Sequence, residues 1–147
     1  MSTRDRILDQ SLVMFASRGF EATPLDSLAG DLGITKQAIL YHFGSKVALM
    51  EAVMAESIHR LGLALAPALA QPDRGWEKIE AVVRASFDVV AVQPELLGLL
   101  REVARLGDTW AGQATTLMQP LMTRASDFLA NEVDAGRLQP HDSQILL

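Results

Sequence analysis

The sequence lacks cysteine, and aromatic residues make up only 5% of its 147 positions. Without cysteine the chain can form no disulfide, no thiolate nucleophile and no cysteine-ligated metal site. The first residues lack the apolar run of a secretory signal peptide. The stretch from Leu61 to Ala70 contains Pro67 and is too short to cross a membrane. These absences predict a soluble protein of the cytoplasm.

Apolar residues are abundant at 49% of the chain, and leucine and alanine dominate among them. No stretch alternates β-branched and polar residues in the manner of a half-buried strand. The composition also differs from that of a disordered chain, which holds few apolar residues. We therefore predict an all-α fold.

The first predicted helix covers residues 3–18. Ser2 or Thr3 can cap its start, Asp5 suits the positive end of the helix dipole, and Gly19 ends it. One stripe at helical spacing is predicted to face the core: Ile7, Leu8, Ser11, Leu12 and Phe15.

Two short helices follow, separated by a turn that contains Gly33. In the first of them Thr23 is the predicted N-cap and Pro24 takes the first helical position. In the second Thr35 is the predicted N-cap, and Gly44 ends the helix. Two short helices joined by a glycine-containing turn are typical of a helix-turn-helix.

A long fourth helix is predicted from its cap at Ser45 to about Leu65, where Pro67 and Pro72 end it. Residues 72–75 form the one clear linker of the chain.

Three more apolar patterns at helical spacing follow the linker. The first starts at Trp76, and the second covers about 96–106. The third starts near Leu117, with Pro120 as its kink or its start. Residues 143–147 resemble the opening turn of a further helix.

The second short helix carries side chains suited to the major groove of DNA. Lys36 can donate to guanine O6 and N7, and Gln37 can form two hydrogen bonds with adenine. Ala38 permits a close approach, and its methyl group can contact that of thymine. The apolar residues of the same helix are predicted to face the protein core: Ile39, Leu40 and Phe43.

Residues around this helix are suited to phosphate oxygens, which set the register of a protein on DNA. Tyr41, His42 and Lys46 follow its first turn. Thr23 and Thr35 can add a hydroxyl group or a helix N-terminus. Together with the base-reading residues they form one predicted DNA-binding surface.

The net charge of −5 argues at first sight against DNA binding. The charge is unevenly distributed, because no acidic residue lies between Asp31 and Glu51, a range that holds Lys36, His42 and Lys46. A local cationic face is enough for DNA, since each neutralised phosphate releases counterions locally.

Residues Gly19–Leu49 read GFEATPLDSLAGDLGITKQAILYHFGSKVAL. This stretch resembles the DNA-binding head of the TetR (tetracycline-repressor) family. The matching features, in order, are the Gly-Phe after the first helix, the Thr before the second, the Gly-Ile turn, the Tyr-His-Phe end of the third and the Ser-Lys start of the fourth. Two positions depart from the family: Leu40 stands where an aromatic residue is frequent, and Gln37 replaces a frequent glycine.

The resemblance implies a helix-turn-helix DNA-binding domain at residues 1–48 and a helical ligand-binding and dimerisation domain at 49–147. It implies a sequence-specific transcriptional regulator, most often a repressor released by a small, largely apolar effector, without a cofactor or metal. The family dimerises through its last two helices, and a homodimer reads a near-palindromic operator in double-stranded DNA. Because the chain ends near where those helices begin, we expect the second domain to be incomplete.

The second domain offers aromatic and methionine side chains, with polar anchors, for a ligand pocket. The candidates are Trp76, Phe87, Arg101, Trp110, Met118, Met122 and Phe128. The apolar ones fit equally well as ordinary core residues at helical spacing. The charges near Arg101 also fit a solvent-exposed helix face with i,i+4 pairs.

An enzyme is disfavoured by the motifs that the sequence lacks. Glu56-x-x-His59 is half of a di-iron helix motif, but no second copy follows. No paired-histidine zinc motif, phosphate-binding glycine loop or nucleophile elbow is present. One alternative remains open, a helical protein-interaction module on a helix-turn-helix scaffold without DNA binding, which the acidic net charge favours.

Overall fold

The computed structural model of the chain describes residues 1–70 and 75–137. The regular elements of this part are α1 (Thr3–Arg18), α2 (Leu25–Leu32), α3 (Lys36–Phe43), α4 (Lys46–Ala70), α5 (Trp76–Val92), α6 (Glu95–Leu106) and α7 (Asp108–Asp134). The all-α prediction is confirmed. The predicted linker, except for Gly75, and the predicted helix at 143–147 lie outside the described residues. None of these seven helices is both long enough and apolar enough to cross a membrane.

Three helices begin with the caps that the sequence predicts. The hydroxyl of Ser2 accepts from the N–H of Asp5 at 3.1 Å, and the Asp5 carboxylate accepts from the N–H of Ser2 at 2.9 Å, which completes a capping box. Thr35 accepts from the N–H of Ala38 at 3.2 Å and caps α3. Ser45 caps α4 in the same way.

The start of α2 differs from the prediction. The helix begins at Leu25 with Pro24 as its N-cap, and no side chain caps it. Thr23 is buried instead, and its hydroxyl donates to the carbonyl of Gly19 at 2.7 Å. The prediction of a Thr23 cap was wrong: the Thr23 hydroxyl is buried against the end of α1, and no N–H of α2 donates to it.

Two prolines lie inside helices: Pro67 was expected to end α4, and Pro120 was expected to kink or to start the last helix. Pro67 lies within α4, on an exposed part of the helix where water can replace the lost backbone bond. Pro120 lies within α7, which begins at Asp108 rather than near Leu117. In the first turns of α7, Trp110, Ala114 and Leu117 stand at helical spacing and pack against the core, so the helical pattern begins earlier than predicted.

The core is built around α1, against which α2, α4 and α6 pack, while α3 packs against α2 and α4. Phe15 and Ile39 are fully buried at its centre. The other elements contribute the following buried residues: Leu25, Leu28 and Ala29 of α2, Leu49, Met50, Val53 and Met54 of α4, and Leu99 and Val103 of α6. The domain boundary predicted after residue 48 lies within a continuous helix, α4. We call α1–α3 with the first turns of α4 the head, and α5–α7 the body.

The body contacts the head where α6 crosses α1. A Cβ atom placed on Gly98 of α6 would lie 2.8 Å from the Cβ of Ala16 and 2.9 Å from its carbonyl oxygen. Arg101 donates to the same carbonyl at 3.3 Å. The body is therefore joined to the head through α1 as well as through α4.

Candidate nucleic-acid interface

The α2–α3 pair forms a helix-turn-helix with Gly33 at the turn. Gly33 takes a left-handed conformation, with φ 66° and ψ 32°, and its N–H donates to the end of α2. Thr35 then caps α3, and the fully buried Ile39 anchors α3 against the core. Leu40 and Phe43 pack half-buried beside it, as predicted. The remaining side of α3 faces solvent.

The first turn of α3 carries the residues predicted to read bases. Gln37 is exposed, and Ala38 is half-buried. The Nζ atom of Lys36 lies 3.1 Å from Oδ2 of Asp26, in an ion pair whose side chains are both solvent-accessible. Such exposed pairs contribute only about 0–1 kcal/mol. An acceptor on DNA can therefore displace Asp26 from Lys36 at little cost.

The end of α3 extends this surface with Tyr41 and His42. Tyr41 is 87% exposed, and its ring centroid lies 5.5 Å from that of His42. A tyrosine this exposed contributes little to packing, so its hydroxyl group is available to a phosphate. The guanidinium of Arg4 lies over the Phe43 ring, 5.4 Å from its centroid. The sequence pattern did not indicate this additional cation, because it comes from the start of α1.

Lys46 is the first residue of α4 and lies close to the loop between α1 and α2. Its Nζ atom is 4.6 Å from the centroid of the Phe20 ring and 3.5 Å from the carbonyl oxygen of Glu21. Partial burial lowers the pKa of Lys46, while the negative charge of Glu21 acts in the opposite direction. The ammonium group is thus held beside an aromatic face that the local sequence around Lys46 does not reveal.

Thr23 differs from the other residues predicted to contact DNA because it is buried. It is 1% exposed, and its hydroxyl already donates within the head. The other seven predicted residues lie between Thr35 and Lys46, on α3 or next to it.

An open cleft of about 360 Å³ lies between α4 and α5. Its lining is mostly aliphatic, with charged groups among it, and includes Arg60, Ala64, Ala85, Asp88, Val89 and Val92. Arg60 is held in place by Asp9 at 2.6 Å and by Glu56 at 2.7 Å.

None of the seven residues predicted for a ligand pocket lines this cleft. Trp76 and Phe87 are exposed on α5, and Arg101 donates to α1. The Trp110 ring packs against Phe20, with 5.5 Å between the ring centroids. The other three are half-buried on α7: Met118, Met122 and Phe128.

Residues 1–70 and 75–137 hold no group of three histidine, aspartate or glutamate side chains that could bind a metal ion. Within the half-motif noted above, Glu56 accepts a hydrogen bond from Arg60 at 2.7 Å. The carboxylate of this half-motif is thus part of an ion pair within α4.

The sequence profile described as "Bacterial regulatory proteins, tetR family" matches residues 7–53. The match covers most of α1, both helices of the helix-turn-helix and the first turns of α4.

Two relatives from Pseudomonas putida are each 39% identical to this chain over 88 residues, which is 60% of the chain. They are the HTH-type transcriptional regulator SrpR and the uncharacterized HTH-type transcriptional regulator TtgW. The matched part spans 39% of the length of SrpR and 63% of the length of TtgW.

A solved structure with a similar fold is that of the TetR family transcriptional regulator PfmR from Thermus thermophilus. It is 25% identical to this chain with a TM-score of 0.76, and the match covers 94% of this chain and 76% of that chain. The likeness therefore extends beyond the head to the helices of the body.

Proposed function

Because this chain belongs to the TetR family of bacterial regulatory proteins, we propose that it is a sequence-specific transcriptional regulator whose α3 enters the major groove of DNA. The two-sided character of α3 supports this most strongly. Ile39 is fully buried behind the helix, while Gln37 and Tyr41 face solvent in front. A short helix that is anchored on one side and polar on the other fits the recognition element of a helix-turn-helix.

The residues of the interface divide into base readers and phosphate contacts. Lys36 and Gln37 donate to base edges, and Ala38 lets the backbone approach. The phosphate contacts come from the two ends of α3 and from the start of α4: Thr35, Tyr41, His42 and Lys46. Arg4 joins them as an additional cation, and the buried hydroxyl of Thr23 does not.

The two parts of the chain take different tasks in this proposal. Residues 1–48 bind DNA, and residues 49–147 contribute to effector binding and dimerisation. Two heads of a homodimer read the half-sites of a near-palindromic operator, about one helical turn or a multiple of it apart. The protein acts in the cytoplasm, where a bacterial operator lies.

The α4–α5 cleft is the proposed place of a small, largely apolar effector. Its volume of about 360 Å³ falls within the usual range of roughly 300–1,000 Å³ for small-molecule sites. An effector there contacts α4, whose first residue is the DNA-facing Lys46. If the effector favours another position of α4, it competes with DNA by linkage, with a coupling of about 1–3 kcal/mol. The role of the seven residues predicted from the sequence stays a prediction.

Selection of bound duplexes from a random-sequence pool tests the regulator proposal. We expect one motif to be enriched, and we expect the affinity for it to fall steeply as salt rises from about 50 to 200 mM, because phosphate contacts release counterions. If no sequence is enriched and binding does not depend on salt, the chain is not a DNA-binding regulator. That result would favour the interaction-module alternative, which the named relatives do not support.

Replacing Gln37 with alanine tests the assignment of a base contact. The variant is expected to lose about 1–3 kcal/mol of discrimination at one base pair, with little change elsewhere in the site. A second selection with the variant measures the preference at each position. Gln119→Ala, on an exposed part of α7, is the matched control and should reproduce the original profile. An unchanged profile for Gln37→Ala would show that Gln37 does not read a base.

A further inference from the structure

A buried carboxylate of the body, Glu102, reaches the end of α1. Glu102 is only 6% exposed, and its Oε1 atom accepts from the N–H of Phe20 at 2.6 Å. Arg105 donates to both of its oxygens, at 2.8 and 2.9 Å. These hydrogen bonds, with that from Arg105 as the largest cause, lower the pKa of Glu102, so the group stays ionised.

Gly19 gives Glu102 access to the backbone of Phe20. Gly19 has φ 95°, a conformation that favours glycine, and a Cβ atom placed there would lie 3.2 Å from Oε1 of Glu102. The carboxylate therefore occupies the space beside the bare Cα of Gly19. The glycine that ends α1 also opens the contact between body and head.

The Phe20 side chain connects this contact to Lys46. Its ring packs against Phe15 and Trp110, with centroid distances of 5.4 and 5.5 Å. The Nζ atom of Lys46 lies 4.6 Å from the centroid of the Phe20 ring. Glu102 thus fixes the backbone of the residue whose ring supports the Lys46 ammonium group.

Arg105 adds a second link between Glu102 and Lys46. Its Nη2 atom lies 3.1 Å from a carboxylate oxygen of Glu21, while the same guanidinium binds Glu102. Glu21 is the carboxylate whose charge acts on Lys46. By holding the Glu21 side chain, Arg105 leaves the Lys46 ammonium available to a phosphate.

From this geometry we propose that Glu102 is a positioning residue for DNA binding, which acts by placing the ammonium group of Lys46 for a phosphate contact. This inference rests on the proposed function. It adds to that function a residue of the body, 82 positions away from Phe20 in the sequence, that sets the affinity of the head.

The test compares Glu102→Ala, Lys46→Ala and the double variant by the salt dependence of their affinity for the duplex selected with the unmodified chain. Each single variant should bind about tenfold more weakly, because one charge-assisted contact is lost. Each should also reduce the slope of log affinity against log salt by about 0.9, the value for one phosphate contact. The double variant should bind no more weakly than Lys46→Ala alone.

Glu132→Ala is the matched control. Glu132 is another buried carboxylate of the body, 4% exposed, and it binds Arg137 and the N–H of Gly75. Its replacement should lower the stability of the fold without changing the salt slope. Glu102→Gln keeps a carbonyl oxygen for the N–H of Phe20 but loses the ion pair with Arg105, so its slope should lie between those of the unmodified chain and Glu102→Ala.

The proposal is overturned if Glu102→Ala keeps the full salt slope or if its effect adds to that of Lys46→Ala. Should Glu102→Ala fail to fold, Phe20→Leu carries the same test, and an unchanged slope in that variant also overturns the proposal. If the unmodified chain itself binds no duplex in a salt-dependent way, the regulator proposal fails. If the unmodified chain binds the duplex in a salt-dependent way but the variants do not behave as expected, Glu102 is a structural residue in a DNA-binding protein.

Discussion

Replacing Phe15 with alanine is expected to destabilise the chain by about 3–5 kcal/mol and to lower its melting temperature by roughly 10–15 °C. Phe15 is fully buried, and its ring meets that of Phe20 edge to face at 5.4 Å. The substitution removes an aromatic side chain from the centre of the head and leaves a cavity. A loss of this size is a large fraction of a total stability of about 5–15 kcal/mol. DNA binding should therefore be lost near the new, lower melting temperature. Thermal unfolding followed by circular dichroism measures the effect.

Val13→Ala on the same helix is the control, because Val13 is 43% exposed. It should change the free energy of unfolding by no more than about 0.5 kcal/mol. Equal effects of the two substitutions would contradict the placement of Phe15 at the core and Val13 at the surface. The orientation of α1, and with it the packing of α3, would then be wrong.

Replacing Gly98 with valine should cost about 3 kcal/mol, at the upper end of the usual range for overpacking. Even the first added atom would lie 2.8 Å from the Cβ of Ala16 and 2.9 Å from its backbone oxygen. Neither contact is with a flexible side-chain end, so α6 and α1 have to separate. Since Glu102 is on α6, the separation also weakens its hydrogen bond to Phe20. Chemical denaturation measures the loss of stability, and a duplex titration measures the loss of affinity.

Gly112→Val is the matched control, because Gly112 is also a helical glycine and nothing lies within 4 Å of a Cβ placed on it. The small gain in helix propensity of valine over glycine should leave stability within about 0.5 kcal/mol of the unmodified chain. A Gly98→Val variant as stable as Gly112→Val would show that α6 and α1 do not cross as closely as described.

The helices of the head could be predicted from the sequence because their signals are local. Thr35 and Ser45 cap their own helices within three residues, and Gly33 ends α2 through its own backbone conformation. The burial of Ile39 follows from the periodicity of α3. The solvent-facing side of α3 follows from the same pattern.

Contacts between distant segments could not be predicted, because they leave no local pattern. Thr23 has the sequence context of an N-cap, but its hydroxyl donates to the carbonyl of Gly19 at the end of α1. Glu102 and Arg101 fit a solvent-exposed charged face by their spacing, yet the first is buried against Phe20 and the second donates to α1. Only the arrangement of the helices in space shows that α6 supports the head.

The length of the helices that contain proline also could not be predicted from local sequence. Proline removes one backbone hydrogen bond, which predicts a helix end. α4 and α7 continue past Pro67 and Pro120, and both helices pack against other elements. Such packing outweighs the local cost, and it depends on residues far from either proline.

The proposed function requires that the solvent-facing side of α3 enters the groove of a duplex. Backbone amide chemical shifts of the isotopically labelled chain, recorded at low salt with and without the selected duplex, show whether it does. We expect the largest changes between Thr35 and Lys46, with small changes around the exposed Trp76 and Phe87 of α5. Changes confined to α5, with the signals of Gln37 and Tyr41 unmoved by the duplex, would contradict the proposed function.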